Sequence, residues 1–136
     1  MPKVIPEKNK SPYGWWVAMV VERYVYDDED EDNPRRRSTA WVNTIMLKAR
    51  DRNHAYRKAI AHAELLKGKE SHGTDEKTGR GFRIVTLGLA GLLPVYDEMD
   101  EEGFEVLWRE YENITVGRIE SWLKEKHELE IFDDSP

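Results

Sequence analysis

Carboxylates are the most numerous groups in this sequence that could carry out chemistry. The 136-residue chain contains 27 aspartates and glutamates, and Glu98 and Glu105 are placed to face each other across a predicted hairpin. Such a pair, with His72 as a further titratable group, could serve general acid–base catalysis or metal-assisted hydrolysis. Because an acid-rich chain produces such pairs by chance, Glu98, Glu105 and His72 are only the first residues to substitute in a search for a catalytic site.

The histidines, serines and cysteines provide no further catalytic or metal-binding motif. His54 and His62 are eight residues apart on a predicted helix, about 12 Å along its axis, which is too far for one metal ion. The sequence contains no HExxH, no G-x-S-x-G and no cysteine. We therefore predict no metal and no cofactor, and we favour a binding protein over an enzyme.

A second group of candidate residues is an acidic run followed by a basic one. The acids are Asp27, Asp28, Glu29, Asp30, Glu31 and Asp32, and Asn33-Pro34 then precedes three arginines. The turn signal predicts a solvated loop in which the two charged arms fold back on each other. The functional alternative is a docking patch for a basic protein partner, since exposed carboxylates steer the approach of such a partner.

Composition and charge favour a protein partner over nucleic acid or membrane. The net charge of -6 opposes approach to a polyanion, and no uncharged stretch reaches the roughly 18 residues of a membrane span. The absence of cysteine and of an apolar signal sequence favours the cytoplasm. We therefore predict a non-enzymatic protein-binding domain. One form is an immunity or antitoxin-like protein that blocks a basic enzyme, and another is a homodimer formed through a sheet edge or the last helix.

The elements that must position these residues are mainly strands. The segment 82–96 carries no charge between Arg83 and Tyr96, and its glycines and proline predict two buried strands joined near Ala90-Gly91. Further strands are predicted at 15–26, 38–48 and 104–111. Because the first of them is apolar on both sides, it requires a cover on each face of the sheet, either from the C-terminal helix or from another chain.

Two helices complete the pattern. Asp51 is a predicted N-cap for a helix to about Lys67, with Gly68 as a left-handed C-cap. Its apolar stripe consists of Ala55, Tyr56, Ala59, Ile60, Ala63 and Leu66, and the residues predicted to face away are Arg52, Arg57, Lys58 and Lys67. A second helix is predicted from Val116 to about Lys126, with Thr115 as its cap.

These elements predict one α+β domain over residues 13–128, with a mainly antiparallel sheet of about five strands, one helix packed on a face and a C-terminal helix. Residues 1–12 are predicted to be a flexible leader and residues 129–136 an acidic tail. The apolar residues of that tail either pack on the domain or are left for a partner.

The order of elements and several short motifs resemble the bacterial domain family of unknown function DUF4288. The resemblance lies in Trp15-Trp16, in Leu47 to Arg50 with Ala55 and Ala59 following, in the segment 79–88, and in Gly103 with Glu105-Val106. It extends from about Tyr13 to Glu112 and leaves the C-terminal helix and tail outside. It implies a small α+β domain and a bacterial source, and it implies no activity because the family is uncharacterised.

Overall fold

The computed structural model describes residues 4–69, 71–98, 102–103 and 109–136. The strands in these ranges are β1 (Trp15–Tyr26), β2 (Arg37–Lys48), β3 (His72–Thr74), β4 (Gly81–Pro94) and β5 (Arg109–Thr115). The helices are α1 (Arg52–Lys67) and α2 (Val116–Glu120), with short 3-10 helices at Glu7–Asn9, Lys126–Glu128 and Glu130–Phe132. The strands form one antiparallel sheet in the order β3-β4-β1-β2-β5. The predicted α+β class and five-stranded sheet are confirmed.

The uncharged segment forms one long strand instead of the predicted hairpin. β4 pairs with β1 from Phe82, opposite Tyr26, to Pro94, opposite Trp16. Two shifts in this register leave Leu87 and Ala90 as extra residues on β4, which is the pattern of a β-bulge. Gly88 has a φ of +148°, which favours glycine, so the local signals that suggested a turn near Ala90-Gly91 belong to bulges.

Helix α1 packs its alanines on one face of the sheet, as predicted. The Asp51 carboxylate accepts a hydrogen bond of 2.8 Å from the His54 backbone N–H and caps the helix. Alternate residues of β1 form the other side of this core. The buried set is Trp16, Ala18, Val20, Ala55, Ala59 and Ala63, joined by Leu89 and Leu92 of β4. Gly68 has a φ of -74°, so the predicted left-handed C-cap is wrong.

The close approach of α1 to the sheet predicts a strong dependence on side-chain size at Ala59. This residue has no exposed surface, so we expect Ala59→Leu to lower the free energy of unfolding by about 1–3 kcal/mol through overpacking. Urea denaturation followed by circular dichroism measures the change. Ala61→Leu is the matched control because Ala61 is exposed on the same helix, and equal losses in the two variants would contradict the packing described here.

Helix α2 covers part of the opposite face of the sheet. Val21, Ala40, Ile114 and Ile119 form a second buried cluster there. The Thr115 hydroxyl accepts a hydrogen bond of 3.3 Å from the Arg118 N–H, as expected for the predicted cap. The helix ends at Glu120 and not near Lys126, because the chain then turns toward the outer edge of β4. There the Lys124 backbone N–H donates to the Leu89 carbonyl at 2.8 Å.

Residues 121–134, which we call the C-terminal strap, cross from one face of the sheet to the other. The strap leaves the α2 cluster, contacts the edge of β4 at Leu89, and ends with Leu129 and Ile131 buried in the α1 cluster. These tail residues therefore pack on the domain. Arg52, predicted to face solvent, is only 8% exposed, because its Nη1 donates to the Asp134 carboxylate at 2.6 Å.

The described part of the predicted leader also lies against the strap. Asn9 is buried, and its side-chain Nδ2 donates to the Asp133 carbonyl and the Asp134 carboxylate, both at 2.9 Å. A 3-10 helix at Glu7–Asn9 presents this amide. The two ends of the described chain thus share one hydrogen-bond network. None of the described helices combines the length and the apolar character needed to cross a membrane.

Candidate functional site

Two acids of the run at 27–32 are paired with the protein's own arginines. Asp28 accepts two hydrogen bonds from Arg80, Nε at 2.9 Å and Nη2 at 2.7 Å. Glu29 is enclosed, with its side chain 4% exposed, and it lies between Arg23 at 2.8 Å and Arg36 at 2.9 Å. Glu29 therefore belongs to an ion-pair cluster within the domain, and its side chain leaves little surface for the predicted contact with a partner.

The other four acids of the run are exposed. Asp27, Asp30, Glu31 and Asp32 lie at the surface, and Asp30 accepts a hydrogen bond of 3.2 Å from the Asp32 backbone N–H. These carboxylates can contribute to a negative surface potential. They do not converge on a cavity that the structure describes.

Of the residues considered for catalysis, the structure describes His72 and Glu98, and these two are not brought together. His72 is exposed on β3 opposite Arg83, near the start of β4, whereas Glu98 is exposed beyond the other end of that strand. The two are roughly 35 Å apart along a strand of this length. The physical reason is that β4 does not fold back at Ala90-Gly91. Glu105 lies outside the described residues, so its pairing with Glu98 stays a prediction.

One further group of possible metal ligands was not anticipated from the sequence. Glu125, His127 and Glu128 are exposed, and their ligand atoms lie within 4.8 Å of one another. Glu125 and Glu128 form a capping box at the start of a 3-10 helix, which explains their proximity without a metal ion.

The main concave feature of the α1 face is a cleft that α1 does not cover, which we call the aromatic cleft. It has a volume of about 590 Å³. Its floor is formed by Tyr24, Tyr26, Thr39 and Phe82. Its walls come from the β3–β4 connection at residues 74–78 with Arg80, and from β2 and β5 at Arg37, Glu110, Glu112 and Asn113. Strands β1 and β2 therefore supply the floor, with β4 contributing Phe82, and the outer elements supply the acids.

The floor of the aromatic cleft is a packed cluster of rings. Tyr24 stacks on Phe82 with 3.9 Å between ring centroids and meets Trp41 edge-on at 5.4 Å. The Arg80 guanidinium lies over the Tyr26 ring at 3.9 Å while it also binds Asp28. This arrangement shows that the ring cluster accommodates a guanidinium group beside a carboxylate.

Asp75 builds the wall between β3 and β4. Its Oδ1 accepts a hydrogen bond of 2.9 Å from the Lys77 N–H, and its Oδ2 accepts one of 3.3 Å from the Tyr26 hydroxyl. Gly79, with a φ of +72°, closes the turn by donating to the Asp75 carbonyl at 2.7 Å. Backbone hydrogen bonds from Lys77 and Thr78 lower the pKa of Asp75, so it remains a carboxylate.

Carboxylates in the walls of the cleft act on its floor, which Arg37, Lys77 and Arg80 also border. Burial raises the pKa of Tyr24, and the carboxylates of Glu110, Asp75 and Glu112 raise it further. Three acids from two walls therefore act on one phenol, which stays protonated and is not a nucleophile or base at neutral pH. Lys77 approaches Glu112 across the cleft, with 3.9 Å between Nζ and Oε2.

Sequence reasoning missed this cleft. The signals present were the alternation of Tyr24 with Tyr26 and of Glu110 with Glu112, each of which places two residues on one face of a strand. The strand order is what places the tyrosine pair on the floor of the cavity and the glutamate pair in its wall.

The predicted homodimer stays a prediction. Of the two surfaces predicted to form it, the sheet edge and the last helix, the helix has its main apolar residues buried within the domain. Val116 and Ile119 of the last helix are buried within the domain and are not available to a partner. The outer edge of β5 has no neighbouring strand among the described residues.

Comparison of the chain with protein-family models, with curated proteins and with solved structures finds no match. The resemblance to DUF4288 therefore stays a prediction, and function has to be argued from the geometry of the chain itself.

Proposed function

We propose that this protein is a non-enzymatic binding domain that takes up a basic segment of a partner protein in the aromatic cleft. The observation that carries the proposal is that Asp75, Glu110 and Glu112 line one cleft whose floor is aromatic. A cationic side chain placed there gains ion pairs from the walls and ring contacts from the floor.

The protein's own basic side chains already make both kinds of contact, the cation–ring contact and the ion pair. Arg80 combines a ring contact to Tyr26 with an ion pair to Asp28, and Lys77 approaches Glu112. The pair between Lys77 and Glu112 is exposed, with side chains 85% and 66% accessible, so it contributes little stability. A cationic side chain of a partner can therefore replace Lys77 at Glu112. An arginine or lysine of a partner would meet the same chemistry.

The acidic run has a supporting role in this proposal. Asp28 links the run to the cleft through Arg80, and the exposed acids beside it extend the negative surface. We expect these exposed acids to accelerate association with a basic partner, and the cleft to determine how long the complex lasts. An immunity or antitoxin-like role in a bacterial cytoplasm belongs to the same proposal, supported by the acidic, cysteine-free composition.

A comparison of two charge-removing variants tests the proposal. The probe is a fluorescein-labelled peptide of alternating arginine and glycine, followed by fluorescence anisotropy. We expect Glu110→Gln with Glu112→Gln to weaken binding at least tenfold, since the loss of even one hydrogen bond to a charged group costs about 1.5–3 kcal/mol, and about 1.4 kcal/mol corresponds to a factor of ten.

The control variant is Asp30→Asn with Glu31→Gln and Asp32→Asn. It removes three negative charges instead of two, and we expect only a small loss of affinity that disappears as salt is added. Equal losses in the two variants would mean that net charge alone attracts the peptide. Failure of the unmodified protein to bind it would overturn the proposed function.

A further inference from the structure

The face of the sheet opposite α1 contains a second cavity, which we call the apolar groove. It lies beside the buried α2 cluster and has a volume of about 520 Å³. The lining residues include Met19, Met46, Tyr111, Trp122 and Lys124. This volume falls in the range of small-molecule sites, about 300–1,000 Å³, which are mostly apolar with a few polar groups.

The walls of the apolar groove are adaptable on one side and fixed on the other. Met19 and Met46 lie on the neighbouring strands β1 and β2, and methionine side chains adjust readily to an apolar ligand. Trp122 packs against Tyr111 with 4.8 Å between ring centroids, which fixes the side nearer α2. The groove thus offers a surface for an aliphatic chain.

Lys124 is the single charged residue among the described residues that line the groove. Its backbone N–H is held by the Leu89 carbonyl at 2.8 Å, so the side chain starts from a fixed point at the edge of β4. Lys124 is half-buried as a residue, and its ammonium group makes no hydrogen bond or ion pair with any described residue. By contrast, Arg23, Arg36, Arg52 and Arg80 are each paired with a carboxylate.

We propose that the apolar groove binds a free amphipathic monoanion, namely an aliphatic chain that ends in one carboxylate. The chain lies along Met19 and Met46, and the carboxylate pairs with the ammonium of Lys124. An ammonium group without a partner among the described residues, beside a mainly apolar surface, favours a ligand that brings the missing negative charge. One cation among the described lining residues matches one carboxylate, whereas a nucleotide with several negative charges would need further cations.

Titration with decanoate tests this inference, with Trp122 as an internal fluorescent reporter. We expect decanoate to bind about tenfold more tightly than decanol, because only decanoate pairs with the ammonium group. Lys124→Gln should weaken decanoate binding about tenfold and leave decanol binding unchanged. Lys69→Gln, which removes an exposed lysine beyond α1, should change neither, and Trp122→Phe should abolish the fluorescence response while calorimetry still detects binding.

Three results would overturn the inference. The first is equal affinity for decanoate and decanol in the unmodified protein, and the second is an equal effect of the Lys124 and Lys69 substitutions. The third is a concentration-dependent dimer in light scattering that decanoate does not dissociate, since the groove would then be covered by a second copy of the chain. None of these measurements involves a basic peptide, so their outcome is independent of the test of the aromatic cleft.

Discussion

Deletion of residues 129–136 is expected to lower the free energy of unfolding by about 5 kcal/mol or more, enough to unfold much of a typical domain at 37 °C. Leu129 and Ile131 have 0% and 1% of their surface exposed, so their loss opens the α1 cluster to water. Truncation of one such side chain to alanine alone costs about 2–5 kcal/mol. Arg52 would also lose Asp134 and the Ile131 carbonyl, leaving a buried charge without a counterion.

Urea denaturation of point variants separates these contributions. We expect Ile131→Ala to cost about 2–4 kcal/mol through the cavity it leaves. Asp134→Asn should also destabilise the protein, because it removes the charge that pairs with Arg52 while preserving shape. Glu130→Ala is the control, since Glu130 is exposed between the two buried residues and should change stability by no more than about 0.5 kcal/mol. A truncated protein as stable as the full chain would show that the strap is not part of the core.

Glu29→Gln is expected to have the next largest effect, a loss of about 2–4 kcal/mol. Glu29 receives a two-pronged contact from Arg23, at 2.8 and 2.9 Å, and a third hydrogen bond from Arg36. The Arg23 side chain is 6% exposed, and its Nε has no hydrogen-bond partner among the described residues. Glutamine keeps the volume of the side chain but removes the charge that balances these two guanidinium groups.

The same residue predicts a specific dependence of stability on pH. Burial alone would raise the pKa of Glu29, but the hydrogen bonds and positive charges of Arg23 and Arg36 outweigh it and lower the pKa from 4.5 to about 2. Because the folded-state pKa lies below the unfolded one, the stabilisation is fully present above about pH 4.5. It is lost as the pH falls toward 2.

Comparison of denaturation midpoints at several pH values isolates this contribution from that of the other acids. The difference in stability between the unmodified protein and Glu29→Gln should shrink between pH 4.5 and pH 2. Asp32→Asn, at an exposed acid of the same run, should follow the unmodified protein throughout. A difference that stays constant over this range would contradict the assignment of the ion pair.

The parts of the fold that were predicted correctly depend on local sequence. The cap at Asp51 and the spacing of Ala55, Ala59 and Ala63 define α1 without reference to the rest of the chain. The β4 strand was predicted wrongly because glycine and proline near position 90 give the same local signal for a turn and for a bulge. Only the length of the neighbouring β1, which pairs with β4 throughout, decides between them.

The candidate site could not be predicted because its residues are distant in sequence. Tyr24 and Glu110 belong to strands that are separated by β2 in the sheet, and no local pattern specifies that order. Glu29 looks like its acidic neighbours in the sequence, and only the fold places Arg23 and Arg36 around it. Arg52 was predicted to face outward although it lies three residues before Ala55 and seven before Ala59, on the buried side of the helical period. Its partner Asp134, which lies far from it in the sequence, could not be predicted from the helix.

The path of the strap also has a consequence for synthesis of the protein on the ribosome. Strand β4, which carries no charge after Arg83, is translated before the strap that contacts its outer edge at Leu89, and about 36 residues separate the end of β4 from Ile131. At about 5–20 residues per second, synthesis of these residues takes about 2–7 s, during which the outer edge of β4 is unpaired. The time that the strap spends in the exit tunnel is added to this interval. An open strand edge with few charges attracts other strands, so we expect the nascent chain to be most prone to aggregation just before the strap emerges.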